Sequence, residues 1–184
     1  MKKLVPAVLM SIAASGAWAT CPAAPDHSKR LNALITSAQI APDERAAQSL
    51  SNQMWKLWAD APNERAQAFL DEGMSRREVF DFSGAISVFE DLIEYCPEYA
   101  EGYNQKAFAH FLRQEYETAL IELDKAIALS PKHIAAISGK ALTLIGLQRD
   151  EEAQVVLRQA LALNPWLKER QFLRGEMPLP KTDL

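Results

Sequence analysis

Between Tyr116 and Leu129 the apolar positions are Ala119, Leu120, Leu123, Ala126, Ile127 and Leu129. Spacings of three and four put them on one stripe of a helix. The same pattern predicts further helices over 64–79, 82–95, 101–112, 132–146 and 151–163. Upstream, 28–39 reads as helical, Ala41-Pro42-Asp43 breaks the pattern, and Asp43 can cap a helix running to about Ala59 that carries Leu50, Met54 and Leu57. Ser130-Pro131 and Asn164-Pro165 each read as a capping side chain before a proline that needs no backbone donor.

The helical segments repeat. Pro97, Pro131 and Pro165 are 34 residues apart, and other residues keep step with them. Twelve positions before each proline stand Ala85, Ala119 and Ala153, and eight before stand Phe89, Leu123 and Leu157. Five before are Leu92, Ala126 and Ala160; twenty-four before are Gly73, Ala107 and Ala141. Twenty-eight before are Phe69, Tyr103 and Ile137, while fifteen before are Phe82, Tyr116 and the one departure, Asp150. Helix axes in contact lie about 8–10 Å apart, and the shorter distance requires Gly, Ala or Ser at the crossing. The alanine and glycine columns therefore mark where neighbouring helices meet.

Residues 66–165 resemble the tetratricopeptide repeat, a 34-residue unit of two antiparallel helices ending in proline. The resemblance implies an all-α solenoid of antiparallel hairpins whose first helices line a concave groove. Residues 63–165 then hold three repeats. Residues 20–62 form an N-terminal extension and a degenerate hairpin, expected to continue the stack but to pack less closely, since Leu50 stands where the repeats have alanine. Residues 166–184 form a capping helix and tail, with Trp166, Leu167, Phe172 and Leu173 covering the last apolar face.

Composition changes this picture little. With 48% apolar and 24% charged residues the chain is globular, and a net charge of −4 argues against a nucleic-acid partner. The N-terminus adds more. Met1-Lys2-Lys3, an uncharged run over 4–17 and Ala17-Trp18-Ala19 read as a secretory signal cut after Ala19. Loss of Lys2 and Lys3 takes the net charge from −4 to −6. The expectation is a periplasmic or secreted protein with no membrane insertion after cleavage. A retained anchor is the alternative, diluted by Pro6, Ser11, Ser15 and Gly16. Cys21 and Cys96 are the only cysteines, and in an oxidising compartment the even count suggests a bridge that staples the N-terminus to the fold. Two free thiols are the other reading.

Candidate chemistry is sparse. His27, His110 and His133 have no partner at a metal-ligand spacing, and no glycine-rich phosphate loop or Gly-x-Ser-x-Gly elbow appears. No catalytic residue, metal or cofactor is expected. Trp55 and Trp58, three apart on one helix, read as core. The resemblance implies a partner peptide or protein segment in the groove, and places Leu70, Met74, Asn104, Phe108, Phe111, Ser138 and Leu142 there, with Gln67 and Ala135 beside them. The third set is small and leaves room for a pocket. One branch of these repeats clamps a carboxylate with basic groove residues; the matching places here hold Leu70, Met74, Gln105, Ala135 and Gly139, without positive charge, so any ligand there is expected to be apolar or neutral. The functional expectation is a non-enzymatic interaction scaffold of the bacterial envelope. A self-associating homodimeric solenoid and an accessory subunit of an envelope enzyme complex are the alternatives.

Overall fold

A computed structural model describes residues 20–175; the expected signal segment and the last nine residues lie outside this range. Eight α-helices and one short 3-10 helix make up the described chain: α1 (Ser28–Gln39), α2 (Glu44–Trp58), α3 (Glu64–Glu78), α4 (Phe82–Tyr95), α5 (Ala100–Leu112), α6 (Tyr116–Leu129), α7 (Ile134–Gly146), α8 (Asp150–Leu163) and the 3-10 helix Lys168–Phe172. The fold is all-α, as the periodicity predicts.

Three hairpins, α3–α4, α5–α6 and α7–α8, pack in series, with α4 on α5 and α6 on α7. The small-residue columns hold them together. Ala85, Ala119 and Ala153 are fully buried, as are Phe89, Leu92, Ala126, Leu157 and Ala160. A methyl group on Gly73 would run into the Phe89 ring, so glycine alone permits that approach. Each hairpin turns the same way. Phe80, Gln114 and Gln148, 34 residues apart, take positive φ of 64°, 62° and 59°. After each, the chain bonds back across the helix end: Asp81 N to Arg76 O, Glu115 N to His110 O and Arg149 N to Leu144 O. These are the bonds of a Schellman motif, repeated here without glycine.

Between repeats the prolines sit in turns rather than at helix starts. Pro131 and Lys132 form a turn, and His133 caps α7, its Nδ1 accepting from Ala136 N at 3.3 Å. The Ser130-Pro131 cap expected from the sequence is thus displaced by three residues. Asn164 likewise accepts from Trp166 N at 3.0 Å in a turn. Elsewhere Asp43, Asn63 and Asp81 cap α2, α3 and α4 with side-chain oxygens.

The N-terminal hairpin departs from expectation in its placement. α1 and α2 pair, but α2 shares no packed face with α3; α1 packs on α8 instead. Ile35, Ala38 and Met54 cluster with Ile134, flanked by Leu163 and Leu167. Polar links follow the same path: Gln39 Nε2 donates to Ala162 O at 2.8 Å, Asn164 Nδ2 to Ser51 Oγ at 3.0 Å, and Lys132 Nζ to Asn32 Oδ1 at 2.7 Å. The hairpin therefore does not continue the stack. It crosses back to the last repeat, where its apolar residues find the uncovered ends of α7 and α8. Capping of the final repeat is shared. The expected terminal helix is a single 3-10 segment, Lys168–Phe172, with Leu167 and Leu173 on the last core cluster.

Cys21 and Cys96 are joined by a disulfide, with Cα atoms 5.1 Å apart. It ties the segment before α1 to the end of α4.

Candidate binding cleft

The return of the hairpin puts α2 across the concave side of the repeats. A cleft of about 490 Å³ remains between α2 and the first helices of the second and third repeats. Ser51, Met54, Trp55 and Trp58 form one wall; α5 supplies Asn104, Ala107, Phe108 and Phe111, and α7 supplies Ala135, Ser138, Gly139 and Leu142. Small side chains at 135, 138 and 139 open the space. Arg77, at the end of α3, closes one side.

Of the residues expected in the groove, five meet there: Asn104, Phe108, Phe111, Ser138 and Leu142. Two do not. Leu70 has no exposure and belongs to a core cluster with Ala59, Ala61 and Phe89, while Met74 packs half-buried on the same cluster. The cause is the crossing hairpin, because Ala59 and Ala61 follow α2 directly and cover that part of the concave face. Gln67 is consumed locally, its Oε1 accepting from Ala61 N at 3.1 Å. Phe108 remains 44% exposed, enough to offer apolar area to a partner. Phe111 is half-buried and meets Tyr116 edge-on at 5.5 Å.

Beneath the cleft lies a polar network that no local spacing in the sequence announces. Glu101 and His133 are buried, 1% and 0% exposed. The Glu101 carboxylate accepts from His133 Nε2 at 2.7 Å, Asn104 Nδ2 at 3.1 Å and Gln105 Nε2 at 2.5 Å. Because His133 Nδ1 accepts the capping bond from Ala136, the proton sits on Nε2 and points at Glu101. Three donors satisfy a carboxylate whose burial would otherwise be costly. On its open face His133 is covered by the Trp58 ring, stacked at 4.4 Å. Tyr99 completes the clasp by donating to Trp58 O at 2.8 Å; burial pushes its phenol well above the ordinary value.

Arg77 donates to Gln105 Oε1, and its guanidinium lies 4.8 Å over the Phe108 ring. Burial pulls its pKa down, with Glu78 and Glu101 opposing. A positive charge therefore stands in the wall, at a position outside those where the repeat resemblance looks for one. Two polar atoms of the cleft residues are buried without a hydrogen-bond partner: Ser138 Oγ and Trp58 Nε1. Helical spacing alone places Trp58 in the core and gives Arg77 no role. Trp58 stands 46 residues before Asn104 and 80 before Ser138, and only the tertiary fold brings them to one cleft.

The other histidines have separate partners: His110 Nδ1 meets Glu115 at 2.6 Å, and His27 Nε2 meets Asp60 at 2.7 Å. Among the described residues no group of three His, Cys, Asp or Glu side chains is placed to hold a metal ion. Among the same residues no helix is long and apolar enough to cross a membrane.

Comparison with known proteins agrees with this architecture. No protein-family model matches the chain. Over 72 residues it is 39% identical to the tetratricopeptide repeat protein 36 homolog of Nematostella vectensis, covering 39% of this chain and 40% of that protein. The chain spans 40%, 60% and 56% of the length of three curated relatives, all of them named as tetratricopeptide repeat proteins. Among solved structures, the Arabidopsis OM64 TPR domain matches with a TM-score of 0.56 at 21% identity, over 58% of this chain and 88% of that one. The first TPR of Spaghetti (RPAP3), solved bound to an HSP90 peptide, matches with a TM-score of 0.56 at 22% identity, over 58% of this chain and 84% of its own. The fold is thus a tetratricopeptide-repeat solenoid.

Proposed function

We propose that this chain is a non-enzymatic interaction module of the bacterial envelope, which holds a segment of a partner protein at the cleft between α2 and the concave helices. Export rests on the basic start, the apolar run and Ala17-Trp18-Ala19, and the Cys21–Cys96 bridge is consistent with an oxidising compartment. The observation that carries the binding role is the cleft itself. Trp55 and Phe108 keep 41% and 44% of their surface exposed beside it, so two aromatic side chains from different hairpins border one concave space. Tetratricopeptide-repeat neighbours solved with HSP90 and Hsp70 peptides support a protein segment as the ligand class.

Site-specific crosslinking in cells tests this. A photoreactive residue at Phe108 is expected to capture a partner from the envelope, whereas one at Ile121, exposed on α6, is not. Equal capture at both positions, or none at Phe108, would remove the cleft from the reading. Fractionation of the same cells decides the compartment, since cytoplasmic protein with residues 1–19 retained contradicts export.

A further inference from the structure

The α1–α2 hairpin is anchored to the repeats at one end and lightly seated at the other. Both of its chain ends meet the first repeat, one through the Cys21–Cys96 bridge and the other through Ala59 and Ala61, which are buried with Leu70 and Phe89. His27 Nε2 and Asp60, 2.7 Å apart, tie the two ends to each other. At the third repeat the polar links of the hairpin include three at the surface: Gln39 to Ala162 O, Lys132 to Asn32, and Arg170 to Glu44. Exposed pairs of this kind contribute little. α1 buries Ile35 and Ala38, and α2 buries Ala47 and Met54, while the concave helices α5 and α7 bury eight and seven residues. Cavities flank the hairpin on two sides. The cleft of about 490 Å³ separates α2 from α5 and α7, and a second space of about 540 Å³ lies between the chain around His27 and the loops before α5 and α7. Trp58 borders both, and its buried Nε1 has no acceptor. That unpaired donor opposes the closed position, because water can bond it once the hairpin lifts.

We propose that the α1–α2 hairpin is a lid, hinged on the first repeat, whose opening from the third repeat admits the partner segment to the concave groove. The inference rests on the reading of the cleft as a partner site and adds its control. Two turns of helix, about 11 Å long and about 10 Å across, fill roughly 900 Å³. The closed cleft, at about 490 Å³, takes side chains but not such a segment. With the lid lifted, the space held by α2 joins the cleft, and Ile134 becomes accessible beside Ser138 and Leu142 on α7. The disulfide does not oppose this motion. Residues 22–27, between the bridge and α1, lie outside any helix and span up to about 20 Å when extended. Lifting exposes Ile35, Ala38, Met54 and Ile134, so the free chain is closed. A partner segment with an apolar face of its own replaces that burial and shifts the population to the open form.

Thiol reactivity tests the lid, with the native bridge intact. Met54 on the lid and Ile134 beneath it are 1% and 4% exposed; Leu157, buried in the last repeat, is the control. Single variants Met54→Cys, Ile134→Cys and Leu157→Cys are treated with a small maleimide under native conditions, and a melting curve of each separates lid opening from global unfolding. Met54→Cys and Ile134→Cys are expected to react at matching rates, at least about tenfold faster than Leu157→Cys. Adding Gln39→Ala, which removes a bond to α8, is expected to raise both rates about threefold and to leave Leu157→Cys unchanged. Rates no faster than that of Leu157→Cys would mean that the hairpin leaves the repeats only on unfolding, and would overturn the proposal. So would fast reaction at one of the two positions alone. In the capture experiment at Phe108, Gln39→Ala is expected to raise the yield; an unchanged yield while the thiol rates rise would overturn the control of binding by the lid. The two readings fail differently: no capture at Phe108 with fast, matched thiol reaction refutes the partner site, and capture with slow reaction refutes the lid.

Discussion

The Trp58 indole lies flat on the His133 imidazole, ring centroids 4.4 Å apart and planes 15° from parallel. One ring closes α2 and the other caps α7, so this contact fastens the N-terminal hairpin to the last repeat. It also shields the buried Glu101–His133 pair from water. Trp58→Ala is expected to cost about 2–4 kcal/mol in urea unfolding, from lost burial and stacking. Trp55→Ala, on the same helix but largely exposed, is expected to cost under about 1 kcal/mol. Equal effects would mean that the hairpin is not held through Trp58.

His133→Ala removes a donor from a buried carboxylate as well as a helix cap. Loss of one partner of a buried pair costs about 3–5 kcal/mol. A companion Glu101→Gln change in the same chain is expected to recover part of that loss, because it removes the charge left behind. The double-mutant cycle in urea measures the coupling.

The Cys21–Cys96 bridge closes a loop of 75 residues in sequence. On chain entropy alone such a loop contributes about 4 kcal/mol. Reduction should lower the urea midpoint correspondingly, and Cys21→Ser should reproduce the effect. Thiol titration of the unfolded, unreduced protein should find both sulfurs blocked; two free thiols in exported material would contradict the bridge.

Close crossings are the weak points of the repeat columns. Gly73→Ala drives a methyl group into Phe89, and Ala119→Leu forces α6 from its partners. Each is expected to cost about 1–3 kcal/mol by overpacking. At Gly102 a methyl group would meet Ile93 no closer than 3.3 Å, so Gly102→Ala should be milder. Chemical denaturation of the three variants gives the order.

Asp81 caps α4, and its pKa is held below the ordinary carboxylate value of 3.8, first by the Gly84 backbone N–H and then by the Arg76 side chain. Both favour the charged form. The contribution is therefore full above 3.8 and is lost as pH falls through the lower value of the folded state. Asp81→Asn keeps a capping oxygen but lacks the charge, so the variant and the parent should converge in stability as the solution is acidified. A constant gap down to low pH would assign the effect to something other than ionisation.

The 34-residue period and the helices it implies could be read from the chain because they are local. A turn such as 80, 114 or 148 needs only the residues on either side of it, and an alanine column needs only its own register. The ends of α4 and α6, predicted as 82–95 and 116–129, match the observed Phe82–Tyr95 and Tyr116–Leu129 for that reason. Five of the seven expected groove residues also follow, since the face of a helix is fixed by its 3.6-residue repeat. What the tertiary structure alone decided is where α1 and α2 go. Their apolar residues were visible, but a hairpin can bury them on either neighbour along the stack or on the far end. Here Ile134, Leu163 and Leu167 offered the uncovered surface, and α2 was laid across the concave side. That choice buried Leu70, brought Trp58 onto His133, and set Arg77 and Ser138 around one cleft. Each of these depends on contacts between residues far apart in sequence, and such contacts leave no period in it.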